Sequence, residues 1–207
     1  MRKKIVITGG LGYIGTELSK LYSGVSWYHQ ITVIDNRFIS ERVNQIRNWN
    51  MEFIQGDILD KELIEKYCKD ADVVHHLAGI TDVPRTKNEA YKNQDEKIKE
   101  VGEKGTQNIL DVVSDKCKII FPSTHVVFEG IDEVKKDIKE DFATKPILSY
   151  SSSKAVNENQ LKKSGKNYII LRLGSVYGYS TDSMRIDIMP NLFSEIASQN
   201  GTLKLFA

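Results

Sequence analysis

Six short, almost continuously apolar runs punctuate the chain at Lys4–Thr8, Ile31–Asp35, Glu52–Gln55, Asp72–Leu77, Lys118–Ser123 and Tyr168–Leu173. Longer amphipathic stretches lie between them, near 13–24, 60–69, 88–114 and 149–164. A strand that stays apolar at successive positions has both faces covered, so the alternation predicts an α/β fold with a doubly wound parallel sheet and crossover helices. A further helix is expected from about Met189 to Gln199. Residues Glu129–Lys145, ahead of Pro146, are charged and irregular, which fits either a loop at a site mouth or an inert surface loop. The tail Gly201–Ala207 reads as a strand cut off mid-element, so a truncated chain is expected.

Composition narrows the classes. With 207 residues the chain can bury one sizeable core. Its net charge is +1 with both signs interspersed, and the Lys135-Lys136 and Lys162-Lys163 pairs read as solvated surface. No electrostatic footprint for nucleic acid or an anionic membrane results. Cys68 and Cys117 show no metal or redox spacing, which fits a reducing compartment. The apolar run after Met1-Arg2-Lys3-Lys4 is too short for a signal peptide, and no segment approaches spanning length. A cytoplasmic protein is expected. His75-His76 would point to opposite strand faces, so they cannot readily chelate one ion, and no metal is expected.

Candidate chemistry begins at the first strand. Gly9-Gly10-Leu11-Gly12-Tyr13-Ile14-Gly15 follows it and opens the first helix. Glycines there allow a tight turn and let backbone N–H groups and the helix N-terminus approach a pyrophosphate. Asp35 follows Gly15 by twenty residues, at the end of the second strand, with Asn36 beside it. It is placed to accept hydrogen bonds from ribose hydroxyls and to repel a 2′-phosphate, which favours NAD over NADP. Arg37 pulls the other way, because an arginine there can accommodate the phosphate. Asp57, in Gln55-Gly56-Asp57-Ile58, is either a turn residue or a contact to the adenine amino group.

The second constellation is Tyr150-Ser151-Ser152-Ser153-Lys154. A Tyr and a Lys four apart on a helix share one face. An ammonium that close is expected to lower the phenol pKa, and beside a hydride acceptor the pair forms an acid–base catalyst.

With these pieces together the chain resembles the extended short-chain dehydrogenase/reductases, in particular the NAD-dependent nucleotide-sugar epimerase/dehydratase branch. The likeness rests on Thr8–Gly15, Gly56-Asp57-Ile58, His76-Leu77-Ala78-Gly79, Gly105–Leu110, Pro122-Ser123-Thr124, Tyr150–Lys154 and Leu171–Gly178, with Pro146 and Glu158 at the family's spacing. It implies a Rossmann-like NAD(P)-binding domain over residues 1–173 and the incomplete beginning of a substrate-binding region over 174–207. Tyr150 would be the general acid/base, Lys154 would hold the nicotinamide ribose, and Thr124 would hydrogen-bond the reacting oxygen. Leu77, Ala78 and Gly79 would line the nicotinamide half of the cofactor. A homodimer through the helices near 88–114 and 149–164 is implied by the same resemblance.

Departures narrow the reaction. The 4,6-dehydratases carry Asp-Glu directly after the Thr, where this chain has His125-Val126. Valine transfers no proton, so 4,6-dehydration is disfavoured. His125 either replaces a substrate-contacting Asp or makes a structural hydrogen bond at the strand end. Ser175, Tyr179 and Gly102 stand where the family carries Asn, Pro and Asn. The reading that results is a nucleotide-sugar epimerase that passes through a keto-sugar. The alternatives are an NAD(P)H-dependent keto-reductase of the same fold, or an NAD-binding module without turnover.

Overall fold

The computed structural model describes residues 1–81, 92–180 and 184–204, and the side chains of these apart from 92–94. In chain order the elements are β1 (Lys4–Thr8), α1 (Tyr13–Ser23), β2 (Gln30–Asp35), α2 (Ser40–Asn48), β3 (Glu52–Gln55) and α3 (Lys61–Cys68). They continue with β4 (Val73–His76), α4 (Lys92–Lys99), a π-helical turn (Glu100–Lys104), α5 (Gly105–Val112), β5 (Lys118–Thr124) and a 3-10 turn (His125–Phe128). The last three are α6 (Ser149–Lys163), β6 (Asn167–Leu173) and α7 (Met189–Ser198).

The strands form one sheet in the order β3-β2-β1-β4-β5-β6, and every pairing is parallel. From β1 the chain moves outward through β2 and β3, then returns to the other side of β1 and continues through β4, β5 and β6. The reversal at β1 and β4 opens a crevice beyond their carboxyl ends. Apolar alternation fills both faces. Ile5, Ile7, Ile31 and Val33 pack with Val43 and Ile46 in one cluster. Val6, Ile34, Val74, Ile119 and Phe121 pack with Ile64, Ile109 and Leu161 in the other. This is the doubly wound Rossmann-like architecture that the sequence pattern predicts.

Four segments differ from expectation. Helix α2 was not anticipated, because Ser-Glu-Arg-Val-Asn-Gln-Ile-Arg-Asn buries only Val43 and Ile46. The helix expected over 88–114 is interrupted by the π-helical turn, and residues 88–91 lie outside the described residues. In that turn a Cβ on Gly102 would come 2.3 Å from Ser153 Oγ, while Asn157 and Gln160 of α6 donate to the Gly102 and Glu103 carbonyls at 3.1 and 3.0 Å. Strand β6 is covered on one face only: Tyr168 and Ile170 join the core, whereas Ile169 and Leu171 are exposed. Residues 201–204 adopt no strand, and 205–207 lie outside the described residues.

A buried ionic network ties β5, α6 and β6 together at the site's rear. Glu158, 1 % exposed, accepts from Ser123 Oγ at 2.6 Å and from Arg172 Nε and Nη2 at 2.9 and 2.7 Å. Ser123 is thereby tied to α6 at the end of β5. Burial alone would raise the Glu158 pKa, but the Arg172 and Ser123 hydrogen bonds outweigh it and hold the carboxyl below its ordinary 4.5. The folded protein thus binds fewer protons here than the unfolded chain, so this stabilisation is complete above pH 4.5 and is lost as pH falls below it. We expect Arg172→Met, which leaves a buried carboxylate without its main partner, to cost about 3 kcal/mol in urea denaturation at neutral pH, with the deficit shrinking on acidification.

Candidate functional site

A cleft of about 840 Å³ runs along the carboxyl ends of the strands, lined from Gly9–Gly15 at one end to Tyr150, Lys154 and Arg185 at the other. That size lies in the range of small-molecule and cofactor sites.

The glycine loop is built by close backbone approach. Gly9 has φ +69°, and a Cβ there would sit 2.6 Å from Ala78 N. A Cβ on Gly15 would sit 2.5 Å from Gly9 O and 2.6 Å from Gly10 Cα. The loop is fastened by Gly9 N–H to Ile34 O at 2.7 Å and Gly12 N–H to Gly9 O at 3.1 Å. The first turn of α1 carries no side-chain cap and no acidic residue, and Tyr13, Ile14 and Gly15 line the cleft. Such a terminus favours a negative ligand group.

Asp35, Asn36, Arg37, Asp57 and Ile58 line the same end. Asp35 is buried and engaged within the protein: Leu11 N–H donates to Oδ2 at 2.9 Å, and Arg37 N–H and Nε donate to Oδ1 at 3.0 and 3.1 Å. A sugar hydroxyl at Asp35 would have to share the carboxylate with the half-exposed Arg37 side chain. Both readings of Asp57 are accommodated. It accepts Leu59 N–H at 2.9 Å as a turn residue and takes Asn36 Nδ2 at 3.1 Å while facing the cleft.

At the other end, β5 delivers Thr124, α6 delivers Tyr150 and Lys154, and the turn after β4 delivers Leu77, Ala78 and Gly79. Thr124 is buried and its Oγ1 accepts Val126 N–H at 3.3 Å, which caps the 3-10 turn. Lys154 Nζ donates to Pro122 O at 2.9 Å and lies 4.4 Å from the Phe121 ring centroid. Its distance to the Tyr150 centroid is 5.9 Å. Desolvation lowers the Lys154 pKa to about 8. Burial raises the Tyr150 phenol, opposed by the Arg185 charge. This corrects the expectation that the neighbouring lysine lowers it: with Nζ turned to a carbonyl and a ring face, desolvation prevails.

The two histidines separate as the strand period requires. His75 Nε2 meets the Tyr22 hydroxyl at 2.8 Å. His76 is buried, with Nδ1 3.0 Å from Thr8 Oγ1 and Nε2 3.0 Å from Thr106 Oγ1. Desolvation, then the Lys154 charge, pushes its pKa to about 3, so the ring is neutral. Thr8 Oγ1 also accepts Ala78 N–H at 3.3 Å, fastening the turn that lines the cleft. His125 Nδ1 hydrogen-bonds Leu173 O at 3.2 Å, which is its structural reading, while Val126 lines the cleft. Among the described residues no group of His, Cys, Asp and Glu could hold a metal, and no helix is long and apolar enough to cross a membrane.

Residues missed from the sequence also line the cleft. Arg42 of α2, hydrogen-bonded to the Leu11 carbonyl, was hidden by a helix too polar to recognise. Lys97, Glu100 and Arg185 follow no motif, and Arg185 pairs with Asp187.

Residues 5–206 match the model of the NAD dependent epimerase/dehydratase family. The chain belongs to that family. Among relatives of this epimerase/dehydratase chain, a putative UDP-glucose 4-epimerase from Methanocaldococcus jannaschii is 32% identical, over 86% of this chain and 57% of its own length. A UDP-N-acetyl-alpha-D-glucosaminuronate decarboxylase from Bacillus cytotoxicus is 31% identical, over 86% of this chain and 56% of its own. The crystal structure of UDP-glucuronic acid 4-epimerase from Bacillus cereus, in complex with UDP-glucuronic acid and NAD, is 25% identical. It superposes with a TM-score of 0.75 over 98% of this chain and 65% of that one. The epimerase/dehydratase chain thus spans a little over half the length of these curated relatives.

The lowered Lys154 pKa has a direct consequence for stability. Between about 8 and 10.5 the unfolded chain holds this proton and the folded protein does not, so the lysine's contribution to stability rises with pH across that window. We expect wild-type stability, measured by urea denaturation relative to Lys154→Met, to climb from pH 8 to 10.5.

Proposed function

We propose that this is an NAD-dependent nucleotide-sugar epimerase. The supporting observation is the convergence of Tyr150, Lys154 and Thr124 at one end of a cleft whose other end is the glycine loop with Asp35. The cradle fits a dinucleotide: Gly9 and Gly15, where a side chain would collide with the protein's own backbone, let the loop pack tightly and bring the uncapped N-terminus of α1 to the cleft, where a pyrophosphate can approach it. Gly9, Gly12, Tyr13, Ile14 and Gly15 would hold the pyrophosphate, Asp35, Asn36, Asp57 and Ile58 the adenosine, and Leu77, Ala78, Gly79, Tyr150 and Lys154 the nicotinamide half. Residues 1–173 form the cofactor domain in this reading, and 174–207 begin the region that takes the sugar nucleotide.

NAD, when bound, supplies reversible hydride acceptance. Tyr150 takes the proton of the sugar hydroxyl as the carbinol is oxidised and returns it when the keto-sugar is reduced on its other face. Thr124 holds the reacting oxygen. The Lys154 ammonium, which gives one N–H to the Pro122 carbonyl, would use the other two to stabilise the phenolate and to hydrogen-bond the cofactor ribose. A phenol raised by burial needs this help, and its proximity to Arg185 adds to it. Val126 at the cleft wall supplies no acid or base, which argues against an elimination step. The keto-reductase alternative differs only in consuming NAD(P)H stoichiometrically.

The test is turnover of a panel of UDP- and dTDP-sugars with catalytic NAD⁺, followed by chromatography of the sugar nucleotides. We expect C4-epimer interconversion without net NADH formation. Tyr150→Phe should lower turnover by about 10²–10⁴-fold with NAD affinity nearly unchanged. Turnover within a few-fold of wild type would remove Tyr150 from the chemistry, and a requirement for stoichiometric NADH would favour the reductase.

A further inference from the structure

Helix α6 carries the candidate acid/base in its first turn, yet its own N-cap, Leu148, offers no side-chain hydrogen bond to the free N–H groups. An acceptor from elsewhere in the chain instead holds the residues that lead into the helix. Glu129, just beyond the 3-10 turn, receives Ile147 N–H and Leu148 N–H on Oε1, each at 2.7 Å. The same oxygen takes the hydroxyl of Ser151, which is fully buried. Tyr150 lies between two of these three anchor points in the chain, with Leu148 before it and Ser151 after it.

The segment bearing Glu129 is itself fastened. Gly130 N–H donates to Lys145 O and Lys145 N–H to Val127 O, both at 2.8 Å. A Cβ on Gly130 would come 2.5 Å from Lys145 O, so the two strands of the loop meet backbone to backbone. The 3-10 turn begins at His125, directly after Thr124. Glu129 therefore links the end of β5, which holds Thr124, to the start of α6, which holds Tyr150. A carboxylate at a helix N-terminus also complements the helix dipole and makes charge-assisted bonds to backbone N–H groups.

We infer that Glu129 is a positioning residue: it sets the entry angle of α6 and so the placement of the Tyr150 phenol relative to Thr124. The inference rests on the proposed role of Tyr150. It acts through the backbone and Ser151, so its loss displaces the acid/base without removing any group that would touch substrate or cofactor. Misplacement of a reacting group by about 1 Å can cost about 10²-fold in rate.

The experiment compares wild type, Glu129→Ala and Glu129→Gln by three readouts: steady-state kinetics on the sugar-nucleotide panel, NADH binding by fluorescence, and backbone hydrogen exchange. For Glu129→Ala we expect kcat to fall about 10- to 100-fold, with KM and NADH affinity within about twofold. Faster exchange should be confined to the peptide containing residues 147–151. Glu129→Gln, which keeps an acceptor oxygen, should recover most of kcat and of the local protection. Unchanged kcat in Glu129→Ala overturns the inference, as does a parallel loss of kcat, NADH affinity and protection throughout the protein. If wild type binds NADH but converts none of the sugars, the functional reading fails, and exchange alone decides on Glu129: selective deprotection of 147–151 supports the anchor, and unchanged protection overturns it.

Discussion

The loop between β1 and α1 passes so close to the turn after β4 that Gly9 can carry no side chain: a Cβ would lie 2.6 Å from Ala78 N and 2.7 Å from its Cα. The site depends on this contact. It joins the strands on either side of the topological reversal at the point where the cleft opens. Thr8, one residue earlier, adds a hydrogen-bonded link through Ala78 N–H and the neutral ring of His76 to Thr106 on α5. Two backbone turns and a helix are thereby held in one register, and the rest of the cleft is assembled around them.

Most of the sheet could be read from the sequence because its strands are buried on both faces and carry few polar positions. The glycine loop, Asp35 and the Tyr150–Lys154 pair were legible for a different reason, since each depends on spacing within one local element. Helix α2 was not, because two buried residues in nine leave almost no apolar stripe. Arg42 went unseen with it. Arg185 and Glu129 were illegible in another sense: each reaches its place across loops, and no local periodicity encodes that. The charge of the 129–145 stretch was plain in the sequence, but the anchoring of α6 by its first residue was not.

The electrostatics of the Tyr150–Lys154 end of the cleft run against the simplest expectation. Burial pushes the phenol of Tyr150 up and the ammonium of Lys154 down, so both groups are biased towards neutrality in the protein alone. Neither bias comes from the other's charge. Desolvation thus moves the two groups apart and leaves the phenol a weaker acid than the ammonium, so the role proposed for Tyr150 depends on positive charge in the cleft, which Arg185 already supplies in part.

The π-helical turn at Glu100–Lys104 has a consequence for what lengths of chain this fold accepts. A π-turn holds one residue more than the α-helix it interrupts. The five residues of this turn cover about the rotation of four in an α-helix, so the segments on either side stay in phase despite the extra residue. Thr106 still faces His76, while the Gly102 and Glu103 carbonyls are held by Asn157 and Gln160 of α6. Deleting the surplus residue would return those carbonyls to the helical ladder and cost the link to α6, with α5 kept in register. The irregularity thus exchanges bonds within one helix for bonds between two.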